Sequence, residues 1–331
     1  MGHVIMAYEE LEEAGRTSGT PGAYERCTRV WSELETLGIP PRERVLGDWF
    51  MEGDLGFVYA PRGLGKTWLS LGMATAIANG GVCGPWQALR PRRVLYVDGE
   101  MPCEALSSRL RGMGAGGGLS VLSHQALFHL EGRVLNLARA SAQEELTRFL
   151  RREGVQVLFL DNLSCLFSGV AENDADAWES VLTWLLMLRR LQIAVVLVHH
   201  SGRNKETMRG TSRREDAAFW VLRLDPSESE VREGAQFISQ FTKDRNSHRE
   251  QPALAWKFHT HQPTGEVRVT TESSCRMEVL RQWIENGLTG AEDIAKEMGI
   301  SKGTVSKMAK AAMTEGWLGK RGREYVLTTA G

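Results

Sequence analysis

Four short apolar runs, each separated from the next by a stretch with helical periodicity, constrain the fold of this chain more than any other feature. They read LGFVYA (55–60), RRVLYVDGE (92–100), VQVLFLDNL (155–163) and IAVVLVHHS (193–201). Strands that are apolar throughout are buried on both faces, and strands that alternate with helices pair in parallel through crossover connections. The sequence therefore predicts an α/β domain built on a mostly parallel sheet flanked by helices.

Two further strands are predicted downstream, in AAFWVLRLDP (217–226) and AQFISQFTKDR (235–245). Their residues come closer to apolar and polar alternation, which is typical of antiparallel strands at a sheet edge. The domain is expected to close near TGEVRVTTESS (264–274). The glycine-rich GMGAGGGLS (112–120) follows no predicted strand, so we interpret it as a flexible connection and not as a dinucleotide-binding turn.

The first run leads into a phosphate loop, because strand FVYA is followed by loop PRGLG and helix KTWLSLGMATAIANG. In such a loop, backbone N–H groups and a lysine contact phosphates, and a hydroxyl binds Mg²⁺. The consensus GxxxxGK[ST] is met except at its first position, where alanine replaces glycine. Alanine suits that position wherever φ is negative. The residues expected to bind ATP are Ala60, Pro61, Arg62, Gly63, Leu64, Gly65, Lys66, Thr67 and Trp68, with Lys66 on phosphate and Thr67 on Mg²⁺.

Polar side chains at the ends of the other strands are candidates for the same site. Asp161 ends the third run and is predicted to join Thr67 at Mg²⁺, the alternative being a cap on the next helix. Glu100 is the first candidate to position the attacking water and Asp98 the second, unless they only cap a helix. His199, at the end of the fourth run, is predicted to face the γ-phosphate.

After Ser274 the pattern changes to three helices followed by the basic hairpin WLGKRGREYVLT. This order predicts a small winged helix-turn-helix domain. The predicted divisions are an N-terminal helical arm (1–45) of no readable function, an ATPase domain (46–272) and the winged helix (273–331). The winged helix is expected to contact duplex DNA through residues of its third helix and its hairpin. These are Lys302, Thr304, Ser306, Lys307 and Lys310 on the helix and Lys320, Arg321 and Arg323 on the hairpin. Docking of a protein remains the alternative, since such domains serve both purposes.

Composition excludes several classes of protein. The formal net charge is -1, so any contact with nucleic acid must come from local patches. The five cysteines include no CxxC pair, which argues against a disulfide framework or a zinc site. No apolar segment approaches the roughly 20 residues that span a bilayer. A cytoplasmic protein without membrane contact is expected.

Together these motifs resemble the hexameric RecA-type ATPases, and among them the RepA-like replicative helicases of plasmids and phages. The resemblance covers roughly residues 40–270 and rests on APRGLGKT, VLYVDGE, VLFLD, VLVHH, MRGTS and TKDRN. It implies a RecA-like core in which the Walker lysine, Mg²⁺ ligand, catalytic glutamate, Walker B aspartate and sensor are Lys66, Thr67, Glu100, Asp161 and His199.

The resemblance also implies a homo-oligomer, a hexamer, whose ATP sites are shared between neighbours. Lys243 and Arg245 of TKDRN would reach into the adjacent subunit's site, unless they form only a basic turn, and Arg209 is a second candidate finger. The loop HHSGRNKETMRGTS would grip single-stranded DNA through Arg203, Lys205 and Arg209, or be a solvated loop. The implied function is an ATP-driven DNA motor. The alternatives are a DNA-binding regulator or helicase loader switched by ATP and, with less support, a recombinase.

Overall fold

The computed structural model of the protein describes residues 22–169, 175–201, 213–227, 234–248, 251–273, 276–298 and 300–328. Contacts divide the chain into two units, Met1–Arg42 and Glu43–Gly331. The first contains a short helix α1 (Ala23–Cys27) and a 3-10 helix (Trp31–Leu37), and its described residues are exposed. The second unit begins at Glu43.

The strands of the second unit form one large sheet and three small hairpins. In chain order they are β1 (Arg44–Leu46), β2 (Phe50–Met51), β3 (Leu55–Ala60), β4 (Val82–Cys83), β5 (Trp86–Gln87), β6 (Val94–Asp98), β7 (Leu119–Ser123), β8 (Val157–Asp161), β9 (Ala194–His200), β10 (Trp220–Pro226), β11 (Gly234–Asp244), β12 (Leu254–His261), β13 (Glu266–Ser273), β14 (Leu318–Arg321) and β15 (Glu324–Leu327). The large sheet has the order β13-β12-β11-β10-β3-β9-β8-β6-β7. Its strands from β10 to β7 are parallel, and β11, β12 and β13 extend it in antiparallel fashion.

Helices cover both faces of this sheet. They are α2 (Lys66–Asn79), α3 (Cys103–Gly112), α4 (His124–Glu131), α5 (Ala140–Arg152), α6 (Leu163–Leu166), α7 (Ala175–Arg190), α8 (Arg213–Asp216), α9 (Arg276–Glu285), α10 (Ala291–Glu297) and α11 (Lys302–Thr314). All residues of β3, β6 and β8 are buried, and hydrophobic clusters lie on the two faces of the sheet, one including α2 and the other α5 and α7. The predicted α/β fold with a mostly parallel sheet is confirmed. Among the described residues, no helix is both long and apolar enough to cross a membrane.

Strand β10 departs from the prediction of an antiparallel edge strand. It lies inside the sheet and pairs in parallel with β3, with Trp220 opposite Gly56. The two strands fit closely there, because a Cβ on Gly56 would lie 2.0 Å from the Trp220 indole. Apolar and polar residues alternate at the end of β10 because Arg223 and Asp225 are half-buried there. The alternation therefore indicates which side chains reach solvent, and does not indicate whether the strand is parallel or antiparallel.

The glycine-rich segment 112–120 is also only partly as predicted. Gly112 ends α3, and Leu119 and Ser120 already belong to β7, which pairs in parallel with β6 and forms one edge of the sheet. The segment is predicted to be a flexible connection because it follows no predicted strand, and its glycines weaken the strand signal of β7. Only its central residues connect two elements.

The C-terminal residues form three helices and the β14-β15 hairpin around a small core that includes Leu280, Ile294 and Val305. Ser301 caps α11 by accepting a hydrogen bond from the Thr304 N–H at 3.1 Å. A bridge between Gly290 and Glu324 attaches the hairpin to the start of α10. This arrangement gives the segment after residue 275 a hydrophobic core of its own.

Candidate nucleotide-binding site

The loop between β3 and α2 has the backbone that a phosphate loop requires. Gly63 and Gly65 have φ of 76° and 102°, in the left-handed region that favours glycine. Gly65 also has no room for a side chain, because a Cβ there would lie 2.8 Å from Ala235 and Phe237 of β11. Ala60 is not among the residues with positive φ, so alanine is accommodated where the consensus has glycine.

Lys66, the first residue of α2, is buried with its ammonium group turned toward the loop. Its Nζ donates to the carbonyl oxygens of Ala60 at 3.1 Å and Pro61 at 2.8 Å. Burial lowers its pKa to about 8, and the negative charges of Asp161 and Glu100 oppose that shift. A cation with little water around it is well suited to bind a phosphate.

Asp161 receives two hydroxyl groups on one carboxylate oxygen. Thr67 Oγ1 donates to its Oδ2 at 2.7 Å, and Tyr96 OH donates to the same atom at 2.7 Å. Burial raises the pKa of Asp161, and the two hydrogen bonds and Lys66 oppose that shift. Asp161 therefore does not act as the cap of α6, a position taken by Asn162, whose Oδ1 accepts from the Cys165 N–H.

Two further acids lie at the end of β6. Asp98 is buried opposite Asp161, and burial together with the Asp161 charge raises the pKa of Asp98 to about 7. Its Oδ2 accepts the Met101 N–H at 3.0 Å, in the turn before α3, whose N-cap residue is Pro102 and receives no side-chain cap from Asp98. Glu100 is exposed at the mouth of the site and accepts a hydrogen bond from the side-chain amide of Asn162.

These residues surround a cavity of about 410 Å³. Its lining comprises Arg62, Gly63, Gly65, Lys66, Thr67, Trp68, Asp98, Glu100, Met101, Pro102, Arg109, Asp161, Asn162 and His200. The structure thus brings together most of the predicted nucleotide-binding residues. Ala60, Pro61 and Leu64 do not line the cavity, because Ala60 is buried in β3 and Leu64 packs against the hydrophobic core.

The histidine that lines this cavity is His200, and not His199, for which contact with the γ-phosphate was predicted. Successive residues of a strand point to opposite faces, so the two histidines diverge. His199 lies at the register position of Tyr59 and is 1% exposed, whereas His200 lies opposite Ala60 and lines the cavity. The sequence shows two adjacent histidines at a strand end, and only the sheet register distinguishes them.

Sequence reasoning missed Arg109 and Tyr96. Arg109 projects from α3 into the cavity, with its guanidinium 4.5 Å from the Trp68 ring, and burial lowers its pKa. Arg109 lies outside every motif of the sequence, so nothing there marked it as a site residue. Tyr96 gave no polar signal, because it lies inside an apolar strand.

Lys243 and Arg245 lie far from this cavity. Lys243 Nζ donates to the carbonyl oxygens of Glu215 and Asp216, and Arg245 reaches that of Asp216 at 3.3 Å. The opposite end of β11 contacts the phosphate loop at Gly65. At about 3.4 Å per residue, the eight residues from Ala235 to Lys243 separate the pair from the loop by about 27 Å. The pair therefore cannot reach phosphates bound in its own chain.

The predicted DNA contacts are dispersed. Arg203, Lys205 and Arg209 lie outside the described residues. On α11, Ser306, Lys307 and Lys310 are exposed, while Thr304 is half-buried and Lys302 is held by Glu292 at 2.9 Å. Lys320, Arg321 and Arg323 are exposed on the β14-β15 hairpin. Five of the predicted cations are therefore exposed without a described acid as partner, namely Lys307, Lys310, Lys320, Arg321 and Arg323.

Comparison with protein families assigns this architecture. A family model described as an AAA domain matches residues 22–206, more than half of the chain. The chain belongs to the AAA domain family. This match confirms the predicted P-loop ATPase core and its capacity to bind ATP.

Two solved structures are among those similar to this chain. A KaiC-like protein of Pyrococcus horikoshii OT3 has a TM-score of 0.48 and 14% identity, covering 69% of this chain and 99% of the other. The flagellar accessory protein FlaH of Methanocaldococcus jannaschii has a TM-score of 0.45 and 12% identity, covering 66% of this chain and 89% of the other. No curated protein matches the chain.

Proposed function

We propose that this AAA-domain protein is an ATP-hydrolysing motor that acts on single-stranded DNA as a ring of identical subunits. The observation that carries the proposal is the division of the catalytic groups. Lys66, Thr67, Asp161 and Glu100 share one cavity, while the basic pair Lys243 and Arg245 lies at the far end of β11. In a ring with head-to-tail contacts, such a pair can complete the site of the next subunit.

The donor set of the cavity fits ATP with Mg²⁺. Thr67 and Asp161 offer a hydroxyl and a carboxylate, the hard oxygen ligands that Mg²⁺ prefers, and their oxygens already lie 2.7 Å apart. They would hold the metal directly or through its water shell, and Mg²⁺ when bound neutralises charge on the phosphates. Lys66 and the backbone N–H groups of the loop would bind the phosphates.

Hydrolysis requires a group that orients the attacking water, and Glu100 is the residue we assign to it. Its carboxylate lies at the cavity mouth, and the Asn162 amide bonds to its Oε2 and so fixes its direction. His200 lies in the cavity at the end of β9, where it can contact the γ-phosphate in place of His199. Arg109, stacked on Trp68, supplies a second cation from within the same subunit.

The C-terminal segment supports a contact with nucleic acid. Its helices and hairpin have the order of a winged helix, and the exposed cations of α11 and the hairpin can bind phosphates. These exposed cations also favour a second function, a DNA-binding regulator or helicase loader that ATP switches between assemblies. A docked replication protein is the alternative partner for this segment.

The two functions differ in what DNA does to hydrolysis. The motor is expected to hydrolyse ATP slowly alone and at least ten-fold faster with single-stranded DNA, to form an oligomer by mass, and to separate the strands of a forked duplex. Glu100→Gln should retain ATP binding and lose hydrolysis, which controls for contaminating ATPases. Slow hydrolysis whose rate does not change with single-stranded DNA, together with preferential binding to one duplex sequence, would favour the regulator instead.

A further inference from the structure

A single oxygen of Asp161 accepts both hydroxyl groups that reach this carboxylate. Thr67 approaches from the phosphate loop and Tyr96 from β6, each with its oxygen 2.7 Å from Oδ2. The Thr67 hydroxyl belongs to the side that faces nucleotide and metal. The Tyr96 hydroxyl belongs to the sheet, so it is the contact that a bound ligand cannot displace.

The tyrosine ring is fixed in place. Tyr96 is fully buried, and its ring stacks on Phe159 of β8 with centroids 5.6 Å apart and planes 16° from parallel. Tyr96 and Phe159 are register partners, two residues before the partners Asp98 and Asp161. The phenol therefore reaches Asp161 from a position set by strand pairing and not by a mobile side chain.

The direction of the Asp161 carboxylate matters because a second carboxylate lies beside it. Asp98 occupies the register position opposite Asp161, and both line the nucleotide cavity. Two buried carboxylates side by side repel each other, and each can turn away from the site to relieve that repulsion. A donor that holds Oδ2 of Asp161 opposes such a turn and orients the carboxylate toward Thr67.

We propose that Tyr96 is a positioning residue for the metal half of the nucleotide site, where it presets the Asp161 carboxylate for Mg²⁺ bound with the nucleotide. The role rests on the proposed function, because it concerns the same ATP site. It assigns Tyr96 no contact with nucleotide or metal. Removal of its hydroxyl should therefore weaken the response to Mg²⁺ and leave metal-independent nucleotide binding unchanged.

The test is a Mg²⁺ titration of nucleotide binding by the full chain. The probe is a fluorescent methylanthraniloyl derivative of ADP, added first in EDTA and then with increasing Mg²⁺. Tyr96→Phe should bind the probe in EDTA as the wild type does and require about ten-fold more Mg²⁺ for the half-maximal response, the expected loss for one hydrogen bond to a carboxylate. Tyr59→Phe is the matched control, a buried tyrosine of the same sheet whose side chain belongs to the opposite hydrophobic cluster, and should respond like the wild type.

A second comparison separates positioning from general loss of structure. In an Asp161→Asn background, Tyr96→Phe should produce no further shift in the Mg²⁺ midpoint, because its effect passes through the Asp161 carboxylate. An unchanged midpoint in Tyr96→Phe, or an equal additional shift in the Asp161→Asn background, would overturn the proposal. Failure of the wild type itself to bind the probe would instead reject the proposed nucleotide site.

Discussion

At the scale of single residues, Lys66 combines burial with a positive charge that the fold only partly neutralises. Its ammonium group is held by two carbonyl oxygens and lies near Asp161 and Glu100, and burial still lowers its pKa to about 8. A bound phosphate favours the charged form and raises that pKa again. Nucleotide binding and protonation of Lys66 are therefore linked above neutral pH.

This linkage predicts proton uptake on ADP binding. Below pH 8 the lysine of the free site is already protonated, so the affinity for ADP does not depend on this group. Above pH 8 binding must protonate it, and the affinity for ADP falls as pH rises. Because the ADP phosphates are fully ionised there, calorimetry in EDTA at about pH 9, in two buffers of different ionisation enthalpy, should report uptake of close to one proton. Lys66→Arg should bind ADP without it, since arginine stays charged. Absence of uptake in the wild type would contradict the link.

The two histidines of β9 provide a residue pair with opposite expected effects. His200→Ala should lower the rate of ATP hydrolysis about ten-fold or more with little change in unfolding temperature, because His200 lines the cavity. His199→Ala should chiefly lower the unfolding temperature, because that side chain is 1% exposed on the other face of the sheet. Steady-state kinetics and thermal unfolding of both variants test the assignment, and the reverse pattern would restore His199 as the candidate.

At the scale of elements, the phosphate loop and β11 depend on each other. Ala235 and Phe237, near the start of β11, leave no room for a Cβ on Gly65. The loop is therefore shaped both by its glycines and by a strand some 170 residues later, which is consistent with the long-range pairing on which this sheet depends.

Gly65→Ala should destabilise the protein more than Gly63→Ala does. Both substitutions force alanine into a left-handed backbone, at about 1–2 kcal/mol. Only Gly65→Ala also meets Ala235 and Phe237 at 2.8 Å, whereas a Cβ on Gly63 has no neighbour within 4 Å. Overpacking should add about 1–3 kcal/mol, read from urea unfolding of the two variants. Equal losses of unfolding free energy in the two variants would show that β11 moves aside without destabilising the protein.

Strand types were predictable from the sequence where burial produced continuous apolar runs, as in β3, β6, β8 and β9. The position of a strand within the sheet was not predictable. The places of β10 and β7 became known only from the structure, because neither residue alternation nor glycine content encodes which neighbour a strand pairs with. In the site, Lys66 and Thr67 followed from a motif with fixed spacing, and Asp161 from its place at the end of an apolar strand. Choosing His200 over His199, and finding Arg109, required knowledge of which face each side chain occupies.

At the scale of the whole molecule, the chain has one cavity that groups the candidate ATP-binding residues and a basic pair that lies outside it. Lys243 and Arg245 lie on the carbonyl oxygens that end α8, at the end of β11 remote from Gly65. Placing these cations in a neighbour's site would make hydrolysis conditional on assembly, as expected for a ring with contacts of one kind between successive subunits. The central claim is that the ATP site is shared.

Mixing two inactive variants tests that claim most directly. Lys66→Ala lacks the phosphate-binding lysine but supplies Arg245, whereas Arg245→Ala binds ATP without the finger. In an equal mixture whose mixed oligomers are verified by mass, roughly a quarter of the interfaces would pair an intact loop with an intact Arg245, so DNA-stimulated hydrolysis should return to about that fraction of the wild-type rate. Lys66→Ala mixed with the double variant, which has no intact interface of that kind, should stay inactive. No recovery in a verified mixed oligomer would contradict the shared site.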